Sequence, residues 1–318
     1  MPVKNEAWIL RHSLGCLSAF CDVVIVADQN SDDDSREICR QFPNVVVLES
    51  AESRVCEQAR WQLLDAARAF DGDNLLWHSD ADELVSPRLA GETIERVRQQ
   101  LAPGAAIECS FYHLWNDVGH YRDDGSLYQP QQKSMAVLDD RGVDYDRSST
   151  LPFHQPRVSA SAPTVRALDL PVFHLQWLIA NRNQIKQAWY RCKEWMNGGR
   201  TAADINRQYS ITLLPARART SPVLPEWVDG ITFPSLDVDR EPCWQEEDVR
   251  RWFDERGPAF FEPLEIWHVR ILREKFLRAT GRAPRPDRSY RPHWTERAGT
   301  AARRIAGGAR RRVRAALR

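Results

Sequence analysis

Short apolar runs alternate with longer segments of helical spacing over the first 115 residues of the chain. Alternation of this kind is typical of βαβ units, in which helices cover a largely parallel sheet. The predicted strands span residues 22–27, 44–48, 74–79 and 105–114. The predicted helices span residues 8–20, 55–70 and 86–101, with a further helix opened by Ser31. We therefore predict an α/β fold with a mostly parallel sheet flanked by helices.

Carboxylates end the third of these predicted strands. Asp80 and Asp82 lie two positions apart, and side chains at that spacing in an extended segment project to the same side. At the carboxyl end of a strand in an α/β sheet, that side faces the crevice where ligands bind. Two hard oxygen ligands there suit Mg²⁺ or Mn²⁺, which substrate phosphates and water usually complete. A solvated acidic turn is the alternative, and the position after an apolar strand favours the metal site.

Composition indicates a reduced cellular compartment. Hydrophobic residues make up 42% of the 318 residues and charged residues 28%, which is ordinary for a globular protein. The seven cysteines contain no Cys-x-x-Cys pair, which favours free thiols over a disulfide frame or a zinc site. The sequence shows no apolar signal segment and no run of membrane-span length. We therefore expect a cytoplasmic protein.

The second half of the chain is less regular. Residues 116–170 are rich in Asp, Gly, Pro and Ser, and predict long loops with one strand near residues 134–138. A helix is predicted over residues 184–196, and two more over residues 245–256 and 262–280. We predict three parts: a domain over 1–217, a linker and helical region over 218–295, and an arginine-rich tail over 296–318.

Four short motifs follow one another along roughly the first hundred residues: Lys4-Asn5-Glu6, then Asp28-Gln29-Asn30-Ser31-Asp32-Asp33, then Gln58-Ala59-Arg60 on a helix, and Asp80-Ala81-Asp82-Glu83 after a strand. In order and spacing they resemble the bacterial-type, inverting nucleotide-sugar glycosyltransferases of family two, whose Rossmann-like fold is called GT-A. Asn30 and Asp33 stand where the family commonly has glycine, and both tolerate left-handed backbone. Only three residues precede Lys4 where the resemblance implies a full first strand, which leaves open whether that strand is complete.

The resemblance implies a GT-A domain over 1–217 that transfers a sugar, with inversion, from a nucleoside-diphosphate sugar to an acceptor hydroxyl. A saccharide or a lipid-linked acceptor fits glycan or cell-envelope biosynthesis. The cofactor implied is Mn²⁺ or Mg²⁺, which neutralises the leaving diphosphate. The implied roles are a direct metal ligand at Asp82, a ribose contact or water-mediated metal ligand at Asp80, nucleotide-pocket residues at Lys4, Asn5 and Glu6, a base or ribose contact at Asp28, and a phosphate contact at Arg60. The structural alternatives are an exposed segment for residues 4–6, a turn for Asp28 and a solvated side chain for Arg60.

Two further roles fall in the less regular half. His174, at the end of an apolar run, is the candidate third metal ligand, and a core histidine is the alternative. Inversion needs a general base for the acceptor hydroxyl, and Asp117 in the loop after the fourth strand is our choice. Asp123 and Asp124 are alternatives, and all three also fit a solvated loop. The aromatic side chains that could stack on sugar rings, with a core position as the alternative, are Trp115 and Trp177.

Two other functions compete with the glycosyltransferase. A nucleotidyltransferase acting on a sugar phosphate uses a similar sheet and acidic metal site, but it favours a glycine-rich, lysine-containing phosphate loop that this chain lacks. A non-enzymatic anion-binding protein would act through residues 296–318, which hold eight arginines and one glutamate. The apolar residues of this tail lie near one helical face, which predicts peripheral contact with an anionic membrane. A disordered basic end is the alternative, and nucleic acid is not the expected partner.

Overall fold

The computed structural model describes residues 1–49, 56–125, 128–142, 163–210, 218–236 and 243–291. The chain forms two units: one holds Met1–Ile179 and Arg219–Val238, and the other holds Ala180–Ala218 and Asp239–Arg318. Throughout those described ranges, no helix is both long and apolar enough to cross a membrane. The arginine-rich tail, residues 296–318, lies outside the described residues.

The first unit contains four α-helices and ten strands within its described part. The helices are α1 (Ala7–Ser18), α2 (Ser35–Cys39), α3 (Cys56–Arg68) and α4 (Pro87–Arg98). The strands are β1 (Pro2–Val3), β2 (Val24–Asp28), β3 (Val45–Glu49), β4 (Leu75–Trp77), β5 (Glu83–Val85), β6 (Ala106–Trp115), β7 (Asp117–Arg122), β8 (Gln131–Leu138), β9 (Val165–His174) and β10 (Thr220–Pro222).

These strands form two sheets. The first is parallel, in the order β1-β2-β3, and its register pairs Val24 with Val45. The second runs β10-β7-β6-β8-β4, with β9 beside β6 and β5 beside β9. Strands β6 and β9 are parallel, and the other pairs of this sheet are antiparallel. A single residue separates β6 from β7, and a connection this short can join only antiparallel strands.

Helix α1 shows how the spacing of apolar residues gives the core. Leu10, Leu14 and Leu17 lie on one helix face and are buried with Val24 and Val26 of β2. Burial of each such side chain contributes about 1.5–3 kcal/mol relative to exposure. The α/β class predicted from the same pattern is confirmed.

The second unit is helical within its described part. It contains α5 (Ala180–Asn197), α6 (Ala202–Gln208), α7 (Trp244–Arg256) and α8 (Arg270–Thr280). Ile185, Trp189 and Cys192 repeat at helical spacing along α5 and belong to one buried cluster. The indole Nε1 of Trp189 donates to Asp248 Oδ2 of α7 at 3.0 Å, which satisfies the buried polar atom of the ring. The helices predicted over 184–196 and 245–256 are thus confirmed.

Four local predictions differ from the structure. The helix predicted over 262–280 begins only at Arg270. The helix predicted to open at Ser31 begins at Ser35, because the Ser31 hydroxyl accepts a backbone hydrogen bond from Asn5 instead of capping the helix. Residues 116–170 were expected as loops around one strand, yet β7 and most of β9 lie there as well, stabilised by pairing with β6. The expected linker contributes β10 to the first unit. The domain boundaries predicted at residues 217 and 295 stay predictions. The two structural units divide the chain after residues 179, 218 and 238.

Candidate active site

Asp28 ends strand β2 as a buried carboxylate with only 1% of its surface exposed. Its oxygens accept from the backbone N–H of Ser31 at 3.2 and 3.3 Å. The Nε of Arg36 donates to the same carboxylate at 2.5 Å, and this hydrogen bond raises the pKa of Arg36. The turn role of Asp28 is therefore observed, and its contact with a nucleoside stays a prediction.

The segment that holds Lys4, Asn5 and Glu6 docks on the turn after β2. The backbone N–H of Asn5 donates to Ser31 Oγ at 3.0 Å, and the N–H of Glu6 donates to Ser35 Oγ at 3.0 Å. The Lys4 ammonium donates to the carbonyl of a residue in the same turn. These three residues are thus held in place and are not a free terminal segment.

Two asparagines adopt the backbone shape that this docking needs. Asn5 and Asn30 have φ values of 51° and 58°, in the left-handed region that asparagine tolerates better than most residues. The Asn5 side chain also bonds Asp32 in both directions, since Oδ1 accepts from the Asp32 N–H at 3.0 Å and Nδ2 donates to its carboxylate at 2.5 Å. Asn30 therefore serves where the family commonly has glycine, as the sequence predicted.

Asp80 and Arg60 form an ion pair beside the end of β4. Arg60 Nη2 lies 2.9 Å from Asp80 Oδ1, and the two side chains are 26% and 30% exposed. The backbone N–H of Asp80 donates to Glu83 Oε2 at 3.0 Å, which fixes the turn between β4 and β5. A cavity of about 410 Å³ between residues 22–25 and 71–79 also reaches Arg60. The helix motif and the Asp-x-Asp motif are thus brought together.

Asp82 faces His174 across the pairing of β5 with β9. Asp82 Oδ2 and His174 Nε2 are 3.2 Å apart, and both side chains are largely buried. The other ring nitrogen of His174, Nδ1, lies 3.0 Å from Nδ1 of His113 on β6. Burial, and next the neighbouring His174, lower the pKa of His113 well below its usual value, so this ring is neutral at pH 7.

His113 is the site residue that the sequence did not reveal. It lies within a predicted strand, but its role depends on the parallel register that pairs it with His174. That register joins residues 61 positions apart. Only a strand pairing, and no local motif, could have indicated it.

The donor set fits a hard divalent ion only in part. A carboxylate at Asp82 and an imidazole at His174 are both ligands that Mn²⁺ accepts. Asp80 instead points its carboxylate at Arg60. Within the described ranges, no three His, Cys, Asp or Glu side chains form a group that could hold an ion. The full predicted set of Asp80, Asp82 and His174 would require Asp80 to leave Arg60, and it stays a prediction.

The predicted general base lies at the hairpin between β6 and β7. Asp117 is exposed and accepts from the Gly119 N–H at 2.8 Å and contacts His120 Nδ1 at 2.9 Å. The rings of Trp115 and Trp177 stack with their centroids 4.6 Å apart, and they are only 2% and 4% exposed. A core position, the alternative to sugar stacking, is the one observed for these two tryptophans.

A comparison with protein-family models found a match for the first part of the chain. Residues 1–142, which make up less than half of the chain, match the family model described as glycosyl transferase family 2. The match contains the Lys-Asn-Glu motif, the turn after β2, the Arg60 helix and the Asp80–Asp82 pair. The protein is accordingly a glycosyltransferase, as the sequence indicated. Among curated proteins no match was found.

Several solved structures align with most of the chain at low identity. S. aureus TarS 1–349 is 11% identical, with 87% of each chain covered and a TM-score of 0.34. The same protein in complex with UDP gives 11% identity, the same coverage and a TM-score of 0.38. The mannosyltransferase PcManGT from Pyrobaculum calidifontis, in complex with GDP-Man and Mn²⁺, gives 12% identity, 88% and 84% coverage and a TM-score of 0.37. At these values the assignment rests on the family match.

Proposed function

We propose that the protein transfers a sugar from a nucleoside-diphosphate sugar to an acceptor hydroxyl, with inversion and with a divalent cation bound at Asp82. The observation that carries this proposal is the 3.2 Å contact between Asp82 Oδ2 and His174 Nε2. This contact follows the Asp-x-Asp motif, which lies in the segment that matches the family 2 model. A Mn²⁺ or Mg²⁺ ion bound there supplies positive charge that neutralises a departing diphosphate.

The protein's own residues then hold the donor. Arg60 contributes a guanidinium that matches phosphate oxygens in two-point geometry once it leaves Asp80. Lys4, Asn5 and Glu6 form one wall of the nucleotide pocket, since they are fixed against the turn after β2. Asp28 lies at the base of that turn, where it holds the turn closed.

Asp117 is proposed as the general base. Its carboxylate lies at an exposed turn, so an acceptor hydroxyl can reach it. The neighbouring His120 contacts the same carboxylate and holds its orientation. Inversion follows if this base removes the acceptor proton as the hydroxyl attacks from the face opposite the diphosphate.

The acceptor is proposed to be a saccharide or a lipid-linked glycan in the cytoplasm. The basic tail, residues 296–318, would then bring the enzyme to the inner face of an anionic membrane. This part of the proposal rests on the sequence, because the tail lies outside the described residues.

The test is a donor panel with Mn²⁺, read by release of nucleoside diphosphate. The panel includes UDP-GlcNAc and GDP-mannose, and acceptor-dependent release of diphosphate is the expected result. Asp82→Asn should lower turnover at least about 100-fold, since the neutralisation lost is worth several kcal/mol. Asp169→Asn, which breaks a surface ion pair of the same domain, is the matched control and should retain activity.

Two results would overturn the proposal. Full activity in EDTA and in the Asp82→Asn protein would exclude the metal-dependent mechanism. Release of inorganic pyrophosphate from a nucleoside triphosphate and a sugar phosphate, with no turnover of nucleotide sugars, would indicate a nucleotidyltransferase instead.

A further inference from the structure

Arg122 is a buried cation at the end of β7 that leaves part of its hydrogen-bonding capacity unused. Its side chain is 5% exposed, and its Nε donates to Asp124 Oδ2 at 2.8 Å. The Nη1 atom is buried as well, and no described residue accepts a hydrogen bond from it. A guanidinium presents its N–H donors in a rigid planar fork, so the Nη1 arm stays available to an acceptor while Nε holds Asp124.

Two further buried donors belong to the same cluster. The guanidinium carbon of Arg122 lies 4.2 Å from the ring centroid of Trp115, and Trp115 stacks on Trp177 at 4.6 Å. The indole Nε1 atoms of both tryptophans are buried, and among the described residues neither finds an acceptor. Buried polar atoms in native proteins are nearly all hydrogen-bonded, and an exception calls for a water, an ion or a ligand. Three donors in one cluster therefore indicate an acceptor group that the described residues do not supply.

The cluster lies beside Asp117, the proposed general base. The register of β6 and β7 pairs Trp115 with Asp117, and α-carbons paired across antiparallel strands are about 4.5–5.5 Å apart. Tyr128 packs edge-on against Trp177 at 4.6 Å and is only half-buried, so a ligand enters beside this ring. A sugar that presents a hydroxyl to Asp117 is then about one residue pair away from the three donors.

We propose that Arg122, Trp115 and Trp177 form a subsite for an anionic group, a phosphate or a carboxylate, that the acceptor carries near its reacting hydroxyl. The three available atoms are all donors, and an oxygen of an ionised phosphate or carboxylate only accepts. A neutral hydroxyl fits less well, because it brings a proton of its own that also needs an acceptor. Hydrogen bonds from a guanidinium to an anion are also stronger than those to a neutral oxygen. The inference rests on the proposed function, because that function places the acceptor at Asp117.

The first test observes the two indoles directly. ¹H–¹⁵N spectra show one signal for each indole N–H, and Trp115→Phe and Trp177→Phe proteins assign the two signals. The probes are glucose 6-phosphate, glucuronic acid and glucose, added in EDTA to the Arg60→Gln protein so that the proposed donor-phosphate contact is absent. We expect both signals to shift with an anionic sugar and not with glucose. The anionic sugar that shifts them identifies the group as a phosphate or a carboxylate.

The second test measures the affinity for that anionic sugar by calorimetry. The Arg122→Gln/Asp124→Asn protein removes the guanidinium together with the carboxylate that it holds, and the affinity should fall about 10–100-fold, as expected for a hydrogen bond to a charged group. The matched control is Arg96→Gln/Asp169→Asn, which removes a surface ion pair of 2.7 Å and should bind like the wild type. Should the first protein fail to fold, Arg122→Lys keeps the charge without the planar fork and should still lose affinity.

The outcomes separate the subsite from the proposed function. Indole signals that move with neither anionic sugar, or wild-type affinity without Arg122, would overturn the subsite and leave the three donors to internal water. Release of nucleoside diphosphate from a nucleotide sugar would still support the glycosyltransferase in that case. Signals that shift as expected in a protein that turns over no nucleotide sugar would support an anion site and contradict the proposed function.

Discussion

The ion pair between Arg60 and Asp80 predicts that removing the Asp80 carboxylate tightens the binding of a nucleoside diphosphate. The loss of a metal ligand would usually weaken that binding. While the pair exists, Arg60 must leave Asp80 before it can bind a donor phosphate. The 2.9 Å contact joins side chains that are 26% and 30% exposed. Asp80→Asn removes the partner charge and leaves Arg60 free to bind phosphate at once.

The size of the effect follows from the geometry of the pair. At this separation the Coulomb energy is about 1.4 kcal/mol in bulk water, and exposed pairs contribute about 0.2–1 kcal/mol in practice. Because both side chains are more than half covered, we take about 1 kcal/mol, which corresponds to about a fivefold change in Kd. Asp80→Asn should therefore bind a nucleoside diphosphate about fivefold more tightly than the wild type when no metal is present.

Calorimetry with UDP and GDP in EDTA measures this change. If the gain acts through Arg60, the Arg60→Gln/Asp80→Asn double variant should lose it. The matched control is Asp139→Asn, which frees Arg68 from an ion pair of 2.8 Å at the opposite end of β4 and should leave the affinity unchanged. Equal or weaker binding by Asp80→Asn, or the same gain in the double variant, would refute the reasoning.

Three further predictions concern stability and location. Ser86→Ala removes the side-chain cap of α4 and a bond of 2.6 Å to the Asp229 carbonyl, and should lower the free energy of unfolding by about 1–2 kcal/mol in urea titrations, with turnover unchanged. Arg68 lowers the pKa of Asp139, so the stability this pair gives is present above about pH 4 and lost as the pH falls further. The unfolding midpoints of wild type and Asp139→Asn should then converge in acid, and a constant gap would contradict this. Deletion of residues 296–318 should abolish sedimentation with anionic vesicles and leave turnover on a soluble acceptor unchanged. Sedimentation of the full chain should weaken with added salt, because the screening length falls from about 10 Å at 0.1 M to about 3 Å at 1 M. Full-length protein that fails to sediment at low salt would exclude the membrane contact.

The sequence predicted those helices and strands that neighbouring residues in the chain determine. Helix α4 is one case, since Ser86 followed by proline is a strong start signal and the Ser86 hydroxyl indeed accepts from the Leu89 N–H. Strand β2 is another, because the short length and β-branched content of its apolar run favour a strand over a helix. The start of α2 was placed too early, because the contact between Ser31 and Asn5 crosses 26 positions of sequence.

For the candidate site as well, the sequence indicated the local motifs but not the contacts between distant elements. Ordered motifs predicted site roles for Lys4, Asp28 and the Asp80–Asp82 pair, since each motif lies at the end of a local element, and those roles stay predictions. The contact between Arg60 and Asp80 and the pairing of His113 with His174 depend on how distant strands and helices meet. A histidine within a strand pattern reads as a core residue until the partner strand and its register are known.

The docking of residues 4–6 on the turn after β2 has a consequence for how a ligand would bind. Both segments are held by their own hydrogen bonds before any nucleotide arrives, including the two-way bond between Asn5 and Asp32. A surface that is already ordered loses little conformational entropy on binding, so more of each new contact appears as affinity. The same rigidity limits tolerance, because a base of the wrong shape finds no loop that can move to accept it. The shape that this surface already has in the free protein would then determine which nucleotide binds.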